Sequence, residues 1–163
     1  MSSSQELSSP HDFDFIMGDW HVHHRRLNSR LTGCTDWTEF KGTSSTRKIL
    51  GGFGNVEDNV LQFPDGEVRA AAFRSFDRAS RKWSIWWLDG RNPHQLDAPV
   101  VGQFTGSTGV FFANDSLRGT PIKVRFLWNV NPGLKPTWEQ AFSVDAGKTW
   151  ETNWTMEFAR VEG

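Results

Sequence analysis

The sequence predicts an all-β protein, one antiparallel up-and-down barrel preceded by a short N-terminal helix. From Trp20 onward the apolar residues fall in short runs rich in Val, Ile, Phe, Thr and Trp, separated by Gly, Pro, Asn and Asp, which is the pattern of strands and turns. No helical period after Trp20 is long enough for the crossover that parallel strands require. Ten or so consecutive strands leave two unpaired edges unless the sheet closes on itself. A two-sheet sandwich is the alternative topology.

Residues 1–9 are Ser-rich and polar, bury too little to offset the entropy of ordering, and are expected to be a disordered lead-in. Residues 10–163 are then a single domain, with no linker or repeat to divide it. Pro10–Met17 sets Phe13, Ile16 and Met17 at helical spacing ahead of Gly18, which suits one or two helical turns placed to plug a barrel end. The strand runs that follow are Trp20–Asn28, Thr35–Lys41, Ser44–Leu50, Asn55–Phe63, Glu67–Phe76 and Lys82–Leu88. Val100–Thr105, Gly109–Ala113, Ile122–Asn129, Thr137–Ser143 and Thr149–Ala159 complete the set. Pro64-Asp65-Gly66 and Asp145-Ala146-Gly147-Lys148 carry hairpin chemistry, and Asp77-Arg78-Ala79-Ser80 suits a type I turn.

Charge and composition exclude several function classes. Eighteen Lys and Arg stand against nineteen Asp and Glu, a formal net charge of −1, so there is no basic surplus for nucleic acid or an anionic membrane surface. No apolar stretch approaches the ~18 residues of a membrane-spanning helix. A lone cysteine, Cys34, precludes an internal disulfide framework, and the N-terminal residues lack the order of a secretion signal. A cytoplasmic location is the expectation. Gly51-Gly52-Phe53-Gly54 lacks the spacing of a dinucleotide fingerprint, and neither a P-loop nor a Gly-x-Ser-x-Gly elbow occurs. No cofactor and no covalent catalysis are expected. His21 and His23 share one strand face at a workable ligand spacing but lack a visible third ligand, so they read as surface histidines and no metal is expected.

Gly18-Asp19-Trp20 opens the first strand after the short helical segment, and Gly51-Gly52, Phe76-Asp77 and Trp87-Leu88-Asp89 follow in order. In these motifs the chain resembles the lipocalin-like (calycin) barrels, and in particular a bacterial lipocalin-like family of unknown function. The resemblance implies that Trp20 points into the closed end of the barrel with Arg160 lying across it. It brings no activity, so no catalytic residue is carried over. Haem-binding relatives use a histidine close to the C-terminus, whereas the last histidine here is His94, which disfavours haem.

With Trp20 inward, strand alternation sends Val22, His24 and Arg26 the same way. An imidazole that exchanges a proton near neutral pH and a guanidinium fork for a carboxylate or enolate would then face one cavity. The alternative is a buried polar network that satisfies itself. Trp83, Ile85, Trp87 and Asp89 share one face and Trp86 and Leu88 the other. Since one inward face cannot take all three tryptophans of this strand, a homodimer through Lys82–Leu88 is expected. The loop Arg91–Asp97 gathers Arg91, His94 and Asp97 as a ligand-gripping lip, or as solvated side chains.

Gln140 alternates with Trp138 and Phe142 and is expected inward, and Arg74 shares its face with the small residues Ala70 and Ala72. Arg125 is a further polar residue inside a strand. Asn55, Glu57 and Asn59 alternate against Val56 and Val60, which leaves the direction of that strand open because valines normally claim the core. The expected function is recognition of a small aromatic or carbonyl- or carboxylate-bearing organic molecule by Trp87, Asp89, Arg74, Arg125, Gln140, Arg91 and His94. The alternative is a cofactor-independent lyase, isomerase, cyclase or dehydratase, with His24 as acid or base and Arg26 polarising an oxygen.

Overall fold

A computed structural model describes residues 8–161. Ten antiparallel strands follow one another: β1 (Gly18–Leu27), β2 (Trp37–Ile49), β3 (Gly54–Phe63), β4 (Gly66–Asp77) and β5 (Lys82–Asp89), then β6 (Val100–Thr105), β7 (Thr108–Leu117), β8 (Thr120–Asn129), β9 (Thr137–Ser143) and β10 (Glu151–Arg160). Each pairs with its sequence neighbours, and β1 pairs with β10 to close the barrel. Among the described residues no helix is long and apolar enough to cross a membrane.

Two predicted runs, Thr35–Lys41 and Ser44–Leu50, are one continuous strand, β2. Gly42, taken as a break, sits mid-strand opposite Val22 and Leu61. A Cβ at this position would run into the Val60 carbonyl oxygen and lie 3.1 Å from His24 Nε2. This glycine marks a close approach inside a strand rather than a turn. Strand β6 pairs with only the first part of β5, from Trp83 to Ile85. Beyond it the following loop takes over the edge, with Asp97 N donating to Trp87 O at 3.1 Å and Leu96 bridging Leu88. The loop that rims the cavity is thereby fixed to a strand.

The closed end is filled by the N-terminal segment. The short helix expected there is a turn followed by one 3-10 turn, Asp14–Ile16. The Asp12 carboxylate accepts from Ser8 Oγ at 2.5 Å, from Ser9 N at 2.9 Å and from the Trp83 indole at 3.1 Å, so the segment is tied to β5 instead of continuing as a helix. Residues 1–7 of the expected disordered lead-in lie outside the described residues. Ser8 and Ser9, the remainder of it, belong to the plug, and Ser8 is buried.

Phe13 meets Trp83 and Phe104 edge-on at 4.8 and 5.0 Å, and Ile16 is buried with it. Ile16 O accepts from the Trp20 indole at 2.9 Å. Arg160 lies 3.9 Å above the Trp20 ring and donates to Met17 O and Phe15 O, the arrangement the resemblance implies. Gly18 has φ +101, a conformation suited to glycine, and a Cβ there would come within 2.7 Å of this guanidinium.

The homodimer expected through Lys82–Leu88 rests on the tryptophans of β5 being divided between its two faces. Trp83 is buried inside and Trp87 lines the interior, whereas Trp86 and Leu88 alternate to the outer face and are half-buried in the single chain. The alternation is as expected, and Trp86 and Leu88 are the outward side chains that a second copy would cover.

Phe13, only 1% exposed, makes the plug part of the cooperative core. Phe13→Ala is expected to lower unfolding stability by about 3–5 kcal/mol in guanidinium titrations, and a loss below ~1 kcal/mol would show that the plug unfolds separately.

Candidate functional site

Alternation along the strands decides what the barrel contains. Strand β1 turns Trp20, Val22, His24 and Arg26 inward, and β9 turns Trp138, Gln140 and Phe142 inward. Away from the plug these side chains leave a cavity of about 300 Å³, with walls that include Trp87, Phe126, Trp138, Phe142, Trp154 and Met156. Arg26, Leu61, Phe63, Asp89, Arg91, Asn92 and Asp97 complete its lining, and Gln140 projects into it while donating to Asn153 at 2.8 Å. A larger hollow, about 480 Å³, lies against His23, Arg25, Glu139, Thr155 and Glu157. It is an open hollow without buried polar groups converging on it, so the interior cavity is the better candidate.

The charges at the mouth are unequally matched. Arg91 grips Asp89 through Nε at 3.1 Å and Nη2 at 2.8 Å, which lowers the Asp89 pKa and raises that of Arg91. Arg26 has no such partner: among the described residues its guanidinium makes no hydrogen bond or ion pair, and it lies 5.2 Å from the Trp154 ring and 5.9 Å from that of Phe63. Burial, followed by the Arg30 and Arg91 charges, lowers its pKa to about 10, with Asp89 opposing. It remains cationic at neutral pH. Asp97 on the rim has its pKa raised, first by desolvation and then by the Asp115 and Asp89 carboxylates.

Deeper inside, Arg74 and Glu57 form a buried ion pair, with Arg74 Nη1 donating to Asn55 Oδ1 at 2.8 Å and Ser44 Oγ donating to the other Glu57 oxygen at 2.5 Å. The Arg74 guanidinium also faces the rings of Phe13 and Trp128, at 4.9 and 5.4 Å. Arg74 Nε and Asn59 Nδ2 are buried without partners. Both residues line a chamber of about 20 Å³ that shares Trp87, Phe126, Trp138 and Met156 with the larger cavity. It has room for about one water or one oxygen atom.

Several predicted site residues lie elsewhere. His24 points inward but does not reach the cavity, because Phe40 stacks on it at 4.6 Å and Trp154 donates to its Nδ1 at 3.0 Å. Burial, with His23 adding to it, lowers its pKa to about 3. It is a neutral support for Trp154 rather than an acid or base facing the cavity. Arg125 alternates with inward Val124 and Phe126 and lies outside, 4.7 Å over the Trp150 ring. His94 is exposed on the loop and does not line the cavity, since only Arg91, Asn92 and Asp97 of that loop reach it. Trp87, Asp89, Arg26, Arg91 and Gln140 do meet around the cavity, and Arg74 lies in the chamber that adjoins it.

Alternation alone leaves the direction of β3 open, and in the structure its polar set Asn55, Glu57 and Asn59 turns inward. The partner strand held the deciding signal, because Arg74 beside two alanines needs a buried anion across the sheet. Trp154 was missed as a wall because a register shift between Thr152 and Trp154 disturbs the alternation of β10. Among the described residues no group of three His, Cys, Asp or Glu side chains is placed to hold a metal ion.

No protein-family model matches the chain, and no curated protein matches it. Among solved structures it is similar to the crystal structure of Rv2717c from M. tuberculosis, with a TM-score of 0.61 and 10% identity over 96% of this chain and 100% of that one. At this identity the likeness concerns the fold. It is consistent with a lipocalin-like barrel, an architecture compatible with ligand binding.

A histidine with an ordinary pKa of 6.5 that is held near 3 when folded takes up a proton on unfolding at any pH between those values. Its contribution to stability is full above about pH 6.5 and declines as the pH falls towards 3, by up to about 1.4 kcal/mol per unit. His24→Phe leaves the Trp154 N–H unpaired and is expected to cost about 1–3 kcal/mol at pH 7. The gap to the wild-type protein should narrow between pH 6.5 and 4 in urea titrations. A gap independent of pH would contradict the buried neutral state.

Proposed function

We propose that the barrel binds a flat, anionic organic molecule, an aromatic or polyketide-like acid or enol, in the cavity between the plug and the Arg91–Asp97 loop. The observation that carries this reading is the unpaired charge of Arg26 in an aromatic-walled cavity. A partly buried cation without a hydrogen-bonded counterion loses hydration that nothing replaces. A carboxylate or enolate accepting from its fork would supply the missing partner, and the indoles of Trp87, Trp138 and Trp154 offer faces and edges to the flat body of the ligand. The Asp89–Arg91 pair at the rim is already neutralised and would leave Arg26 to select the anion.

The catalytic alternative, acid–base turnover in the same cavity, finds better support in Asp97 than in His24. The Asp97 carboxyl lines the cavity and has its pKa raised, whereas the imidazole is sealed behind Phe40 and Trp154. Binding requires no such group and is the reading preferred here.

The test uses 2-naphthoate and its neutral analogue 2-naphthalenemethanol, with tryptophan fluorescence and calorimetry as readouts. The carboxylate should bind more tightly to the wild-type protein. Arg26→Met should weaken it by about ten- to a hundredfold, as for loss of a charge-assisted hydrogen bond, while changing the alcohol little. Equal affinity for the two compounds, unchanged by Arg26→Met, would remove the proposal.

A further inference from the structure

We infer that the cavity has a second, neutral subsite at its floor, where Asn59 Nδ2 and Arg74 Nε donate to a carbonyl oxygen at the inner end of the ligand. The inference rests on the cavity reading above and adds the ligand's orientation and the chemistry of its far end.

The floor donors are built into the barrel rather than left at its surface. Asn59 is 1% exposed and Arg74 2% exposed. Each carries an N–H without a partner, and both residues border the small chamber that shares Trp87, Phe126, Trp138 and Met156 with the main cavity. Unpaired buried donors cost stability, and two of them on one chamber define a place for an acceptor. Two neighbouring acceptor groups are already engaged, since Asn55 Oδ1 takes Arg74 Nη1 and the Glu57 carboxylate takes Arg74 Nη2 and Ser44 Oγ. The buried side-chain atoms left without a partner there, Asn59 Nδ2 and Arg74 Nε, are both donors.

Charge fixes which acceptor fits. Glu57 balances Arg74, so the floor is neutral as a whole. A second carboxylate there would face Glu57 and lose its hydration without a free countercharge. A carbonyl oxygen brings no charge and fits a chamber of about 20 Å³. At the mouth the balance is reversed, because Arg26 has no counterion of its own. The two ends therefore ask for different groups: an anion towards the solvent, a flat apolar body along Trp87 and Trp138, and a neutral carbonyl against Asn59 and Arg74.

The probes are 6-acetyl-2-naphthoate and 6-isopropenyl-2-naphthoate, which match in shape and in carboxylate and differ in whether the far end accepts a hydrogen bond. The wild-type protein should bind the acetyl compound about tenfold more tightly, as expected for one or two added hydrogen bonds. Its acetyl stretch should move to lower infrared frequency in the complex. Asn59→Leu should collapse the preference while leaving the isopropenyl compound within about twofold of its wild-type affinity, and Arg26→Met should weaken both compounds equally. The infrared shift in the wild-type protein decides the matter if Asn59→Leu does not fold.

Equal binding of the two compounds with an unshifted carbonyl would overturn the floor subsite, leave the cavity reading standing, and assign the chamber to a resident water. A preference for the acetyl compound that survives in a folded Asn59→Leu would overturn the assignment to Asn59. Failure of the wild-type protein to bind either compound would overturn both readings.

Discussion

Closure of a ten-stranded antiparallel sheet is the constraint from which the rest of this structure follows. Once β1 pairs with β10, every second side chain is committed to an enclosed interior and none can escape to an edge. The interior is then graded along its axis. The plug end is packed with Phe13, Ile16, Trp20, Trp83, Phe104 and Phe111, the middle holds the Arg74–Glu57 pair, and the other end is an aromatic-walled cavity with Arg26 in its lining. Aromatic side chains suit both ends for the same reason: they fill large volumes with few rotamers, and they remain flat walls where packing is incomplete.

The polar middle is the part of the interior that packing alone does not explain. A hydrophobic replacement of similar shape for a buried ion pair is often neutral or stabilising by about 1–4 kcal/mol. Here the pair also brings Asn55, Ser44 and two unpaired donors into the core. Where local structure departs from what stability favours, a binding role is the usual physical reason. Arg74 further joins the two ends, since it lies over Phe13 of the plug and borders the chamber beneath the cavity.

Much of the fold was legible because the turns carry their own chemistry. Asp77 accepts from Ala79 N, Ser80 N and Ser80 Oγ, and Asp145 accepts from Thr149 N and Thr149 Oγ1. These bonds lie within a few residues of one another, so sequence reveals them. The inward direction of Arg26 was legible for a similar reason, because Trp20 fixed the parity of an uninterrupted strand. What escaped depended on neighbouring strands. Gly42 looks like a break until the Val60 carbonyl and the His24 ring are placed against it. Val56 and Val60 look like core residues until Arg74 across the sheet demands Glu57 inside.

His24 illustrates why parity does not amount to a site. It points inward as alternation requires, yet Phe40 and Trp154 lie against its ring, so its chemistry is spent on the wall rather than offered to a ligand. The tautomer follows from the bond it receives: Nδ1 accepts the Trp154 N–H, so the proton resides on Nε2, an atom without a partner on the side facing Gly42. A larger residue in place of that glycine would crowd the imidazole and through it the Trp154 indole. Trp154 in turn lies beneath the Arg26 guanidinium. The position of the Arg26 guanidinium therefore depends on a chain of contacts running from a glycine in β2 through a buried neutral histidine to an indole in β10, and strand alternation determines only the direction of each member of that chain.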